Sequence, residues 1–551
     1  MAPRSRFVPM QRRPQVTRRQ LIALPLAVAA LNACGDRRTG AADGLKVLLR
    51  GNGPDPDSLD PHRARSTESM QVLRDLFEGL TRLDHQAAPV PGAAGSWTVS
   101  PDGRVYTFKL RPGLRWSNGD PLVAEDFAAG LRRLVDPATA SQYAEVVDVI
   151  VNSRDIVAGK KPAQSLGVAA PDDGTVVITL TSPAPYLPGL MAHPSCSPLH
   201  RRSLAELGDR FARPGAQVSN GAFVLGEWLP NSHIRAARNP HYWNNGGNRI
   251  DAVKYLQIAD ESAELRAYRA GDMHLTCVVP RGQFDWIRQN LRGELHVVPQ
   301  LSTYYYGFNL DRPRWRDVRV RRALSMVIDR ERLANSVLRV GELPAYGWVP
   351  PGVFNYQAQS VDYATAPMAQ RIAEAQQLLK AAGFTPERPL GFELRYNNGE
   401  VHTKIAVAVA SMWKEALGVE ASLAGVEFKS LMQDIDRRDV DLYRLSWVGD
   451  YNDAYTFLQY LKGDFGINLP HYASREYDGL LDAAAQLVDV ARRRRLLEQA
   501  ERLALADHPL IPLYFYVNKH LVKPEVRGWY NNVMNVYYSQ DFDLIPTSLP
   551  G

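Results

Sequence analysis

Asp450 lies in the segment Trp447-Val448-Gly449-Asp450-Tyr451-Asn452, a carboxylate among aromatic and small side chains. Aromatics that exclude water strengthen a charge-assisted hydrogen bond, so an Asp in this setting suits a small cation. A strand-like run from Val440 to Ser446 precedes it and contains Arg444, six residues upstream of the acid. No catalytic set accompanies the pair. The chain has no Gly-x-Ser-x-Gly elbow and no His-Glu-x-x-His zinc motif. Gly51-Asn52-Gly53 is followed by Pro54 and Pro56, which remove the donors a phosphate loop uses. Asp450 to Asp453 lacks the glycine and distal Glu of a calcium loop. The residues read as a binder, not an enzyme, with no cofactor and no metal.

The elements that must position these groups mix strands and helices throughout, which predicts an α/β fold. Strands are expected at Leu45 to Arg50, Val105 to Leu110, Gly174 to Leu180, Val253 to Ile258, Thr303 to Asn309, Phe392 to Tyr396 and Leu510 to Val517. Helical spacing covers Ser69 to Leu80, Ala124 to Leu134, Ser262 to Ala270, Asp317 to Val337, Ala369 to Ala382, Lys404 to Leu417 and Leu480 to Ala506. Gly51 to Pro61 is a turn-rich loop. No internal repeat or low-complexity tract is present.

The hydrophobic content of 45% and charged content of 23% are those of a globular protein long enough for two or three domains. A net charge of +6 over 551 residues does not favour nucleic acid. The densest basic run, Arg492 to Arg495, falls in a helical pattern and reads as a solvated face. Residues before Leu45 read as an address. Thr17-Arg18-Arg19-Gln20-Leu21-Ile22 leads into an apolar run, Leu21 to Leu31, too short to span a bilayer. The paired arginine resembles a twin-arginine export signal. Leu31-Asn32-Ala33-Cys34 resembles a lipobox. The expectation is a signal peptide over 1–33, lipid on Cys34 and a polar tether over 34–44, with a bacterial, periplasmic, membrane-anchored product on a membrane left undecided. Cys196 and Cys277 read as two buried free thiols, with pairing left open.

Several blocks resemble the family 5 solute-binding proteins, the peptide-binding components of bacterial ABC importers. They are Ser58-Leu59-Asp60-Pro61-His62, Arg74-Asp75-Leu76-Phe77-Glu78-Gly79-Leu80, Thr303-Tyr304-Tyr305-Tyr306, Asp317-Val318-Arg319-Val320-Arg321, Pro344-Ala345-Tyr346-Gly347, Asp450-Tyr451-Asn452, Tyr516-Val517-Asn518 and Leu521-Val522-Lys523-Pro524. The likeness is strongest to oligopeptide-binding members. It implies a two-lobed periplasmic binding protein with a hinge and an extra third domain, type II and cluster C-like. Lobe I would comprise 45–77, 202–301 and 518–551, the additional domain 78–201, and lobe II 302–517. Crossover strands would fall near Gln300 to Tyr304 and Tyr516 to Lys519. The lobes would close on ligand by a hinge.

The resemblance also implies residue roles. Asp450 would take a peptide's α-ammonium. Arg444 and His402 would take its carboxylate at different peptide lengths, Arg through a bidentate fork and His when protonated. Read alone, Arg444 is a surface strand residue and His402 an exposed or capping one. Tyr143, Tyr305, Trp447 and Phe428 are candidate cleft aromatics, with core packing the alternative for each. Ser302 and Val448 stand where the oligopeptide-binding relative has two cysteines. Arg65 replaces an acidic residue near its ligand, which would shift preference toward acidic side chains. The implied function is a lipid-anchored oligopeptide receptor, a monomer that works with permease and ATPase subunits. Murein peptides, glutathione, haem or a nickel chelate are alternative ligands. A peptidase and a peptide-sensing receptor are the competing classes.

Overall fold

The structure is a computed structural model and describes residues 44–465 and 467–545. The signal segment and Cys34 lie outside these residues. No helix among those described is long and apolar enough to cross a membrane.

Three main sheets organise the chain. The first has the order Val47–Gly51, Ala252–Leu256, His233–Arg238, Phe223–Leu229, with the first pair parallel. The second is four-stranded and antiparallel, in the order Ala94–Val99, Val105–Leu110, Thr175–Thr179, Val168–Asp172. The third, six-stranded and mixed, runs Leu343–Pro344, Leu510–Leu521, Leu295–Phe308, Leu442–Val448, Gly391–Asn397, Glu420–Val426. Its parallel strands Gly391–Asn397 and Glu420–Val426 are joined through the helix Glu400–Leu417, as a parallel pair requires a crossover.

Two large apolar cores follow, with a small third cluster of Leu83, Ala87, Val536 and Tyr538. One fills the third sheet and its helices, with Trp315, Trp348 and Trp413 fully buried. The other unites the first and second sheets around Phe77, Phe108, Trp116, Phe127 and Phe223. Each large side chain so buried contributes roughly 1.5–3 kcal/mol.

Leu295–Phe308 and Leu510–Leu521 pair antiparallel along their length. Their register breaks between Pro299 and Thr303, opposite Val517 and Phe515, where the crossovers are expected. Before the break the pair runs beside the segment that bridges to the first sheet: Leu521 N donates to Thr276 Oγ1 at 2.9 Å, and Leu275 bridges both Val522 and Arg50. Beyond it the pair becomes the centre of the third sheet. From Leu301 to Phe308 every side chain is buried, as for a strand covered on both faces.

Two expected helices are broken by capping acids. The pattern over Asp317 to Val337 is a helix Val318–Met326, a turn Arg330–Arg332 and a π turn Leu333–Leu338. Asp329 restarts it by accepting from Arg332 N at 2.8 Å. The pattern over Leu480 to Ala506 divides into Arg475–Ala485 and Val490–Asp507, with Asp489 accepting from Ala491 N and Arg492 N. The basic run is correspondingly not wholly solvated. Arg493 is buried and makes a forked pair with Asp453 at 2.6 and 2.9 Å, tying this helix to the Asp450 loop. Cys196 and Cys277 are both free, Cys196 buried and Cys277 partly exposed.

Candidate functional site

Asp450 follows the strand Leu442–Val448 in a loop held at several points. Gly449 N donates to Leu301 O at 2.8 Å, Trp447 Nε1 to Thr456 O at 2.8 Å, and Asp450 N to Thr456 Oγ1 at 3.2 Å. Tyr451 stacks on Tyr186 at 4.2 Å, and Asn452 Nδ2 donates to Ala87 O at 3.0 Å. The loop therefore touches the body built on the other two sheets. Its backbone and neighbours are committed, but the Asp450 carboxylate is not: among the described residues it makes no ion pair and accepts no hydrogen bond. It opens into a crevice that is also lined by Arg74, Tyr186, His193, Tyr356 and Arg493. Although the side chain is exposed to this crevice, the protein mass around it pushes the carboxyl above its ordinary value.

Arg444 is prepared differently. Strand register places it opposite Tyr306, on the face that carries Tyr304, while Trp447 pairs with Thr303 on the other face. Its guanidinium is buried, lies 4.2 Å over the Tyr304 ring and donates to Asn397 Oδ1 at 2.8 Å and Tyr516 OH at 2.9 Å. Nε has no partner, and no carboxylate lies within ion-pair distance among the described residues. Asn397 ends a parallel strand, and His402 sits in the first turn of the helix that follows it. The strand–helix turn thus brings both to Arg444, at the carboxyl ends of the strands, where open sheets place ligands. His402 Nδ1 is 3.3 Å from Tyr304 OH. Burial, with Arg444 and Arg281 nearby, pulls His402 down to about 4. Near neutral pH the ring is therefore neutral in the unliganded protein, and it must gain a proton to take a carboxylate as a charged donor.

The remaining expected residues divide. Tyr143 is half-buried, with its ring 5.0 Å from His193 and its hydroxyl donating to Arg65 O at 3.4 Å. Burial pushes its hydroxyl up, with Asp450 among the charges that add to the shift. The structure thus brings Tyr143, Arg65 and Asp450 into one neighbourhood. Arg65 is exposed and its Nε lies 3.4 Å from Asp57. Trp447 is half-buried against Tyr460, with centroids at 4.9 Å. Tyr305 is not a cleft aromatic. It is 1% exposed, its hydroxyl bonds Tyr460 OH at 2.5 Å and its ring meets Trp348 edge-on, because strand alternation turns it into the core. Phe428 is 52% exposed at the start of the helix Phe428–Asp436, so core packing does not hold it. Ser302 and Val448 face each other across the strand pair.

Sequence reasoning did not single out Arg74, His193, Tyr304, Asn397 or Tyr516. Arg74, Tyr304 and Tyr516 lie in motif blocks, but only strand pairing shows that the two tyrosines cage Arg444. No group of three or more His, Cys, Asp or Glu suited to a metal occurs among the described residues.

Two bodies joined by a pair of long strands, with charged groups in the crevice between them, define a two-lobed solute-binding protein. The family model for bacterial extracellular solute-binding proteins, family 5, matches residues 88–468, and the chain belongs to that family. It is 38% identical over 522 residues to the periplasmic oligopeptide-binding protein OppA of Salmonella typhimurium, covering 93% of this chain and 96% of that one. It is 40% identical over 499 residues to the probable deoxycholate-binding periplasmic protein YgiS of Escherichia coli, covering 90% and 93%. The unliganded open form of the murein tripeptide-binding protein MppA superposes with a TM-score of 0.87 at 36% identity, covering 92% of this chain and 98% of that one. Haemophilus influenzae OppA in complex with RPPGFSPFR gives 0.70 at the same 36% identity, covering 92% and 100%. At equal identity the chain superposes more closely on the unliganded open form than on the peptide complex.

Proposed function

We propose that this chain is the extracytoplasmic substrate-binding component of an ABC importer for short oligopeptides. The observation that carries this reading is the unpaired Asp450 carboxylate facing the crevice, together with an Arg444 that has no carboxylate of its own. A peptide brings both missing charges, an α-ammonium for Asp450 and a carboxylate for Arg444 or His402. Closing the lobes around the ligand desolvates both contacts, and each charge-assisted bond contributes roughly 1.5–3 kcal/mol. Micromolar binding needs about 8 kcal/mol, so main-chain pairing must supply much of the rest. Tyr143, Trp447 and Phe428 are the aromatics proposed to flank the ligand.

The domain division proposed is lobe I over 45–77, 202–301 and 518–551, an additional domain over 78–201 and lobe II over 302–517, with the register break at Pro299–Thr303 as the hinge. The protein acts as a monomer without catalysis, handing its ligand to permease and ATPase subunits. Lipid on Cys34 tethers it on the periplasmic side. A Cys34→Ala variant is expected to appear in the soluble periplasmic fraction and to lose labelling by fatty acid.

The relative named for deoxycholate supports a second ligand class. A bile acid offers a carboxylate for Arg444 but no cation for Asp450, so the peptide reading accounts for more of the site. Native mass spectrometry of protein purified without denaturation tests the choice. A ladder of tri- to pentapeptide masses supports the proposal; a single steroid mass overturns it.

A further inference from the structure

Four cationic or potentially cationic side chains line the crevice: Arg74, Arg493, Arg494 and His193. Two are already paired. Arg493 forks onto Asp453, and Arg494 Nε lies 3.4 Å from Glu498. Arg74 has no ion pair and no side-chain hydrogen bond among the described residues. It belongs to the last turn of the helix Thr67–Leu76, and its neighbouring carboxylates are taken. Asp75 accepts from Tyr255 OH and from Ser539 N at 2.9 Å, and it pairs with Arg50 at 3.8 Å. Glu78 accepts from Tyr242 OH and from Trp243 Nε1 at 2.6 Å. A guanidinium stays charged in a protein, so Arg74 presents an uncompensated positive charge to the crevice.

His193 adds a donor beside it. Its Nδ1 accepts from Ser195 N at 3.2 Å, which places the proton of the neutral ring on Nε2. Nε2 has no partner among the described residues. Burial and the Arg74 charge hold this ring down at about 3, so it remains a neutral donor. Tyr143 links the corner to the ammonium site, since its ring lies 5.0 Å from His193 and both Arg74 and Asp450 act on its hydroxyl. The crevice wall opposite Asp450 is therefore rich in donors and poor in acceptors.

We infer that Arg74 and His193 form an anion-receiving subsite beside Asp450, which selects peptides bearing a carboxylate side chain on the amino-terminal residue. The inference rests on the peptide reading above. It differs from the expectation attached to Arg65, because Arg65 is exposed and already faces Asp57. An amino-terminal Glu would place its ammonium on Asp450 and extend its carboxylate across the crevice to Arg74, with His193 Nε2–H as a second donor. The amide of Gln has the same shape but gains no charge-assisted bond.

Calorimetry with Ala-Ala-Ala, Glu-Ala-Ala and Gln-Ala-Ala tests this on the wild-type protein and on Arg74→Met and Arg74→Lys. The wild type is expected to bind Glu-Ala-Ala about tenfold more tightly than Gln-Ala-Ala, the scale of one charge-assisted bond. Arg74→Met should bring that ratio to about one while Ala-Ala-Ala affinity stays within about twofold; Arg74→Lys should keep part of the preference. Equal wild-type affinities for the Glu and Gln peptides overturn the subsite, and this comparison needs no variant. An equal loss for all three peptides in Arg74→Met also overturns it, assigning Arg74 to lobe closure instead. If none of the three binds the wild type, the peptide reading itself falls and the subsite with it. Binding of Ala-Ala-Ala without a Glu/Gln contrast refutes the subsite alone.

Discussion

Asp450 and Arg444 stand six residues apart in one chain segment, yet the fold prepares them for charge in opposite ways. Asp450 is open to the crevice on a loop bonded at Gly449, Asn452 and Asp453, and its carboxylate makes no ion pair. Arg444 is buried, with a tyrosine ring under it and neutral acceptors at both Nη atoms. The first arrangement leaves a crevice-facing acid whose charge a ligand must complete. The second keeps a cation charged and oriented while leaving its electrostatic partner to the ligand. An open structure can sustain both, because a mostly hydrated carboxylate costs little and a guanidinium tolerates aromatic surroundings.

The contrast predicts different costs. Asp450→Ala should weaken tripeptide binding most, by roughly 10–150-fold, with little change in melting temperature because the side chain supports nothing else. A loss below about threefold, measured by calorimetry, would place the ammonium elsewhere. Arg444→Met should weaken tripeptide binding about tenfold and lower the melting temperature of the unliganded protein modestly, because Asn397 Oδ1 and Tyr516 OH lose their donor. A large drop in melting temperature with unchanged binding would assign Arg444 to the core.

Acid sharpens the comparison from another side. His62, His193, His402 and His508 are held by burial at about 4, 3, 4 and 4 in the folded protein, against an ordinary 6.5. The unfolded chain therefore binds more protons in that window. Stability is full above about pH 6.5 and falls as pH drops toward 4. Urea midpoints at pH 7 and 4.5 should show the decrease. His402 also predicts proton uptake when a carboxylate binds beside it, visible as a buffer-dependent calorimetric enthalpy. The smallest effect is expected for Arg65→Ala, below about threefold on any tripeptide, because an exposed pair with Asp57 contributes about 0–1 kcal/mol.

Asp450 and Arg444 were legible because they combine charge with a strand-then-loop pattern and sit in or beside a family block. The α/β architecture was legible from alternating strand and helix patterns. Tyr305 was not, because a run of three tyrosines does not reveal which alternate face meets the cleft; its pairing opposite Leu445 does. Helix breaks at Asp329 and Asp489 were missed because the apolar spacing continues through both capping acids. Arg74 opens a family block but reads from the sequence as an ordinary basic residue within a helical pattern. Its significance depends on Asp75 and Glu78 being engaged by residues far along the chain, which only the fold brings together.

The central claim is that Asp450 holds a peptide's α-ammonium. Calorimetry of the wild-type protein with Ala-Ala-Ala and its N-acetylated form tests it most directly. The free peptide should bind in the micromolar range and the acetylated one at least about tenfold more weakly, as expected when one charge-assisted contact is removed. Equal affinity for the two peptides would contradict the account.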